Sequence, residues 1–122
     1  MKKHPAINYL KAHRKKSGLT QNDVATLLGY KHKGQVSRHE RGAGVPPLAA
    51  ALAYEALFSA PAASIFAAMH HTIKGDIERE LRKLKETIEK RSARDGNAAP
   101  IAQKLAWLSR RNSEFKSNEN LQ

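Results

Sequence analysis

The segment LLGYKHKGQVSRHERG, Leu27 to Gly42, gathers Lys33, Gln35, Ser37 and Arg38 into barely two helical turns held between glycines. These side chains share one kind of chemistry. Lysine and arginine reach the acceptors on guanine, glutamine pairs with adenine, and serine is an adaptable donor and acceptor. None of them forms or breaks a bond in that role. Elsewhere no nucleophile stands beside a base, and no glycine-rich loop is built to cradle a nucleotide; Gly42-Ala43-Gly44 runs straight into prolines. The expected chemistry is recognition, and no enzyme activity is expected.

The rest of the composition narrows the partner. Lys and Arg number 22 against 11 Asp and Glu, a formal charge of +11. Residues 1–60 hold ten of the basic and only three of the acidic side chains. A one-sided excess of this kind suits a polyanion, usually nucleic acid. Six histidines lie scattered at 4, 13, 32, 39, 70 and 71, and adjacent His70 and His71 point about 100° apart on a helix. No metal and no cofactor are expected. The absence of cysteine suits a reducing cytoplasm. The longest apolar run, Val45 to Phe58, is too short for a bilayer, and MKKHPAINYLK lacks the apolar core of a signal peptide. A cytoplasmic protein without a membrane role is the expectation.

The elements that must position these groups read as helices throughout; strand and hairpin signals are nearly absent. Pro5 fits a first helical turn, with Ile7, Leu10 and Ala6 inward and Gly18 as the stop. Thr20 caps a second helix, its hydroxyl accepting the Asp23 amide while the Asp23 carboxylate reaches back. Val24, Leu27 and Leu28 form its apolar stripe, Ala25 leaves room for a close neighbour, and Gly29 ends it. A third helix fits Lys33 to Arg41 with Val36 inward and His39 partly packed. Pro47 opens a fourth, Leu48 to Phe58, apolar at Leu48, Leu52, Leu57 and Phe58. A stripe then recurs at Ile65, Phe66, Met69, Ile73, Ile77, Leu81, Leu84 and Ile88, weakened at Gly75 by roughly 1 kcal/mol. Asp95-Gly96-Asn97 breaks it, and a short helix of about Ala99 to Arg111 carries Ile101, Leu105, Trp107 and Leu108.

Two short helices joined by a glycine turn let the second project into a major groove about 12 Å wide. At this point a resemblance enters. HRKKSGLTQNDVATLLGYKHKGQVSRHERG resembles the DNA-binding domain of the phage-repressor, or XRE/Cro-like, helix-turn-helix family. The resemblance rests on Arg14, Gly-Leu-Thr-Gln at 18–21, Val-Ala at 24–25, Leu-Gly at 28–29, Val36-Ser37-Arg38 and Glu40-Arg41-Gly42. Pro47-Leu48 and Ala62-Ala63-Ser64-Ile65-Phe66 resemble the openings of the fourth and fifth helices. The matching stretch is roughly residues 6–66. It implies an all-α fold: a five-helix repressor-like domain, then a long amphipathic helix and a short C-terminal helix.

The resemblance also implies roles. Lys33, Gln35, Ser37 and Arg38 face the bases of double-stranded DNA. Thr20, Gln21, Lys31, His32 and Arg41 serve its phosphates, and Arg14 with Glu40 forms a structural ion pair. The six residues YKHKGQ stand where the family pattern has five, so the turn is enlarged or the helix start is shifted.

The domain division expected is 1–66 for DNA binding, 67–111 for a helical extension and 112–122 for a disordered polar tail. A domain complete near residue 66 leaves the later stripe unburied, and soluble monomers rarely expose such a seam. Ile73, Ile77, Leu81, Leu84 and Ile88 are therefore expected at a dimer interface, with the Trp107 helix folding back beside it. A homodimer would place two recognition helices about 34 Å apart on a palindromic operator. The expected function is transcriptional regulation, by repression. The alternative is an antitoxin-like module whose C-terminal half binds a partner protein.

Overall fold

A computed structural model describes residues 7–95 and 98–120. Among them are seven helices and no strand: α1 (Leu10–Ser17), α2 (Gln21–Leu28), α3 (Gly34–Arg41), α4 (Leu48–Phe58), α5 (Ala62–Ile65), α6 (Ala67–Asp95) and α7 (Ala98–Asn120). The chain divides into two compact units, one ending at Lys74 and one beginning at Gly75. The helix α6 runs through that boundary, which falls where glycine weakens the helix. The last helix continues past Arg111, the end read from its apolar residues.

In the first unit, each of the three short helices closes on a glycine with positive φ: Gly18, Gly29 and Gly42. That conformation costs a side-chain-bearing residue energy and costs glycine none. The core gathers Leu10, Val24, Ala25, Val36, Ala50, Tyr54, Ile65 and Phe66, with Met69 packed against them. The first turn of α6 thus belongs to this core. Tyr54 is its largest fully buried side chain. Its ring meets Phe66 at 6.4 Å and stacks on Phe58 at 6.4 Å. Removing an aromatic side chain from water is worth roughly 4–6 kcal/mol before ordering costs.

Four apolar residues point elsewhere than their spacing suggests. Ile7 is 79 % exposed because α1 starts only at Leu10. The Asn8 carboxamide oxygen accepts the Leu10 amide at 2.9 Å, and the Tyr9 amide donates to the Ile65 carbonyl at 2.9 Å. These bonds hold the entering chain out of helix; Pro5 and Ala6 lie outside the described residues. Leu27 is exposed, because α2 packs through Val24 and the small Ala25 and so admits α3 closely. On α4 the buried side chains are Ala50 and Tyr54, while Leu48 and Leu52 face outward. Alanine spacing hides which face of an apolar helix is the inner one.

The second unit is a helical hairpin. Ile88 of α6 and Leu108 of α7 are buried, and Arg111 lies 2.7 Å from Glu78. Ile77, Leu84 and Trp107 are each 49 % exposed. Leu84, Ile88, Pro100, Trp107 and Leu108 line an open apolar groove. None of the described helices is long and apolar enough to cross a membrane.

Candidate nucleic-acid interface

The two sides of α3 differ sharply. Val36 and His39, one turn apart, are buried at 0 % and 4 % exposure. Gln35 and Arg38, also one turn apart, are exposed, and Ser37 between them is half-buried. With eight residues, α3 is about 12 Å long, enough to present one or two turns to a groove. Arg41 is exposed, its Nε donating to the Ser37 carbonyl at 3.3 Å.

The neighbouring α2 offers its N-terminus. Thr20 Oγ1 accepts the Asp23 amide at 3.0 Å and the Thr20 amide donates to Asp23 Oδ2 at 2.9 Å, closing the capping box. The Thr20 amide, seconded by its hydroxyl, holds the Asp23 carboxyl below the usual range. Beside this end lies a polar recess lined by Lys11, Thr20, Gln21, Asn22 and Lys33. Two ammonium groups and the positive end of a helix dipole meet there, a setting suited to an anionic oxygen. Lys33 therefore stands with the α2 terminus, whereas Gln35 and Arg38 stand on the face of α3.

Gln21 is only partly available to such an oxygen. Its Nε2 donates to Glu40 Oε1 at 3.2 Å. Glu40 also receives two bonds from Arg14, Nε at 2.6 Å and Nη2 at 3.1 Å, and Arg14 Nη1 donates to the Leu19 carbonyl at 3.2 Å. The bond to Glu40 raises the Arg14 pKa. One carboxylate thus ties α1, the α1–α2 turn, α2 and α3 together. The bond from Gln21 carried no signal in the sequence, because it needs two helices brought side by side.

The turn between Leu28 and Gly34 delivers α3 with Val36 facing inward. The Gly34 amide donates to His32 Nδ1 at 3.2 Å, which caps the start of α3. A Cβ at Gly34 would come 2.9 Å from that ring, so a larger residue here would push the exposed His32 side chain aside. With Nδ1 accepting, a neutral imidazole carries its proton on Nε2 and presents a donor outward. Lys31 and His32 are both exposed.

His39 lies on the buried side of α3, sharing a 2.8 Å hydrogen bond through Nδ1 with the Tyr54 hydroxyl. Their rings meet edge to face at 5.8 Å, and Tyr30 packs edge-on at 6.2 Å. Burial, then the Arg38 charge, push the His39 pKa down; burial pushes the Tyr54 pKa up. Asn8 Nδ2 donates to the His39 carbonyl at 2.8 Å, so one asparagine clasps the start of α1 and the end of α3. A first helix opening at Pro5 would have placed Asn8 inside it, and neither of its bonds was expected.

The expected seam divides between the units. Ile73 belongs to the first and is 37 % exposed. In the second, Leu81 is half-buried, Ile77 and Leu84 are half-exposed, and Ile88 is buried within the chain's own hairpin.

A short helix seated on a small inner face, with a capped helix terminus and basic recess beside it, defines a helix-turn-helix unit. Residues 8–63 match the family model described as a helix-turn-helix domain. Over that stretch the chain is similar to helix-turn-helix domains, and no curated protein and no solved structure matches it.

Proposed function

We propose that this protein is a sequence-specific transcriptional regulator of the XRE type, acting in the cytoplasm as a repressor. It binds a palindromic operator as a homodimer, blocks polymerase by occupancy and performs no catalysis. The observation that carries the reading is the division of α3: Val36 and His39 anchor it while Gln35 and Arg38 remain exposed. Gln35 and Arg38 read base edges, with Ser37 beside them. Lys33 joins Thr20, Gln21 and Lys11 in holding one phosphate at the α2 terminus. Lys31, His32 and Arg41 serve flanking phosphates. The second copy covers Ile77 and Leu84.

Selection of sites from random duplex DNA, followed by salt titration, tests this. An enriched inverted repeat is expected. Arg38→Ala then loses about 1–3 kcal/mol of discrimination at one base position of each half-site. Lys33→Ala weakens operator and random duplex alike and makes the salt dependence shallower. Equal, unaltered affinities of Arg38→Ala for operator and random duplex would remove Arg38 from base reading.

The groove lined by Leu84, Pro100 and Trp107 supports a second reading, an antitoxin-like module whose hairpin takes up a partner protein. A purified chain that forms stable dimers alone, with Trp107 shielded from quencher, counts against a need for that partner.

A further inference from the structure

Charge is sorted along the hairpin of the second unit. From Asp76 to Glu89 the sequence holds five acidic and four basic residues; from Lys90 to Arg111 it holds six basic and one acidic. Three of the early acids are engaged: Asp76 with Arg79, Glu78 with Arg111 and Glu80 with Lys83. Lys90, Arg91, Arg94, Lys104 and Arg110 meet no carboxylate among the described residues. These cations flank the apolar groove. Lys104 and Arg110 line it beside a floor that includes Leu84, Ile88 and Trp107, and no acidic side chain among the described residues lines it. On α6, Arg91 follows Leu84 by two turns, within about 20° of it round the helix. With Lys90 and Arg94 it lines a neighbouring polar recess. The α7 side of the groove runs from Pro100 to Arg110, about 15 Å, which is about three turns of a helix laid along it.

We propose that this groove takes up an acidic amphipathic helix of a partner protein. Its apolar stripe packs on Leu84, Ile88 and Trp107, and carboxylates on its flanks face Lys104, Arg110 and Arg91. The inference rests on the second reading, in which the hairpin binds a partner protein, and it puts that partner where a second copy would otherwise cover Leu84. Charge selects the occupant. A second copy meeting this face with its own would bring more cations and no carboxylate to answer them. Duplex DNA would satisfy the cations but gains nothing from the aliphatic floor between them. An amphipathic helix answers both features. Apolar side chains three and four residues apart fill a groove between helices, and acidic neighbours of that stripe reach its rims. A half-exposed tryptophan on the floor is the kind of side chain that anchors such contacts.

The test is selection by the full chain from a displayed library of amphipathic helices about fifteen residues long. Leucine fills their apolar positions, and Asp, Glu, Lys, Arg and Gln compete at the flanking ones. Acidic flanks should be enriched. The winning peptide should shift Trp107 fluorescence to the blue and bind more weakly as salt rises. Lys104→Glu/Arg110→Glu should weaken that peptide about tenfold, and changing its flanking acids to lysine should restore binding to this variant. Lys15→Glu/Lys16→Glu makes the same change of net charge on α1 and should leave the peptide affinity at the wild-type value. All four lysine and arginine positions are exposed, so unchanged far-UV circular dichroism is expected. Equal losses in the two double variants overturn the proposal, since net charge alone then attracts the peptide. If the winners carry basic or neutral flanks and still shift Trp107, the partner-protein reading survives and the acidic helix is wrong. If no helix is enriched, or only duplex DNA or phosphatidylserine vesicles shift Trp107, both fail. A wild-type dimer that shields Trp107 and dissociates in Leu84→Asp puts the second copy in the groove and also ends both.

Discussion

The helix-turn-helix unit and the helical hairpin spend their apolar residues differently. The first joins five short helices and the opening of α6 around one core, with Leu10, Val24, Val36, Tyr54 and Ile65 essentially sealed from solvent. The second sets two long helices together and buries Ile88 and Leu108, leaving Ile77, Leu84 and Trp107 half-exposed. The polar contacts follow the same division. Glu40 is 4 % exposed and bonded to both Arg14 and Gln21, while Glu78 and Arg111 are about a quarter exposed. Glu78 Oε1, though close to Arg111, is not aligned for a hydrogen bond. A domain that must hold a short helix at a fixed height needs several elements converging on it. A hairpin needs only its inner stripe, and its outer apolar surface is available to something else.

Substitutions in the core should separate the two regions most. Tyr54→Ala removes the ring on which α3, α4 and the α5–α6 junction converge, and should cost about 3–5 kcal/mol. Ile88→Ala should cost about 2 kcal/mol, the low end for such a truncation, because its groove is open and can close in. Trp107 is the only tryptophan, so its fluorescence in urea reports the hairpin, while hydrogen exchange of α1 to α4 reports the other unit. Equal losses on both probes for both variants would erase the distinction.

The ion pairs give a smaller contrast. Glu40→Ala leaves Arg14 largely buried without its carboxylate and releases Gln21, and should cost about 3 kcal/mol. Glu78→Ala should cost about 1 kcal/mol or less. Urea midpoints at constant m-value measure both. Thr20→Ala deletes the cap of α2 and should cost about 1 kcal/mol, with operator affinity falling as the helix end frays. An operator affinity that is unmoved while stability drops would detach the α2 terminus from phosphate binding.

Acid should produce the smallest change. Burial lowers the folded-state pKa of His39 beneath its unfolded value of about 6.5. The unfolded chain therefore takes up this proton first. The stability linked to neutral His39 is complete above about pH 6.5 and is lost as pH falls through the folded value. The loss should appear in the helix-turn-helix unit and not in Trp107 fluorescence. His39→Gln should flatten the dependence below pH 6.5, and a slope identical to wild type would assign it to other groups.

Several of these features were legible beforehand for local reasons. The Thr20–Asp23 box is a contact between residues three apart, and glycine at 18, 29 and 42 marks where a helix must turn left-handed. Arg14 and Glu40 were found through the family pattern, since nothing local links residues 26 apart. Reading Ile7, Leu27, Leu48 and Leu52 as inward failed because periodicity marks apolar faces without saying which neighbour arrives. Alanine-rich α4 has two such faces, and Tyr54, which carries a polar hydroxyl, is the one that the core takes.

By itself the sequence determined an all-helical chain, a short helix rich in basic and amide side chains, and the caps and glycines bounding it. Each is set by bonds within a few residues or by the types of side chain present. Tertiary structure alone decided that Asn8 would clasp His39, that Gln21 would be held by Glu40, and that Lys33 would stand with the α2 terminus. Those depend on helices distant in sequence arriving side by side. The direction of each approach is set by which buried surfaces fit, a property of all the packed elements together.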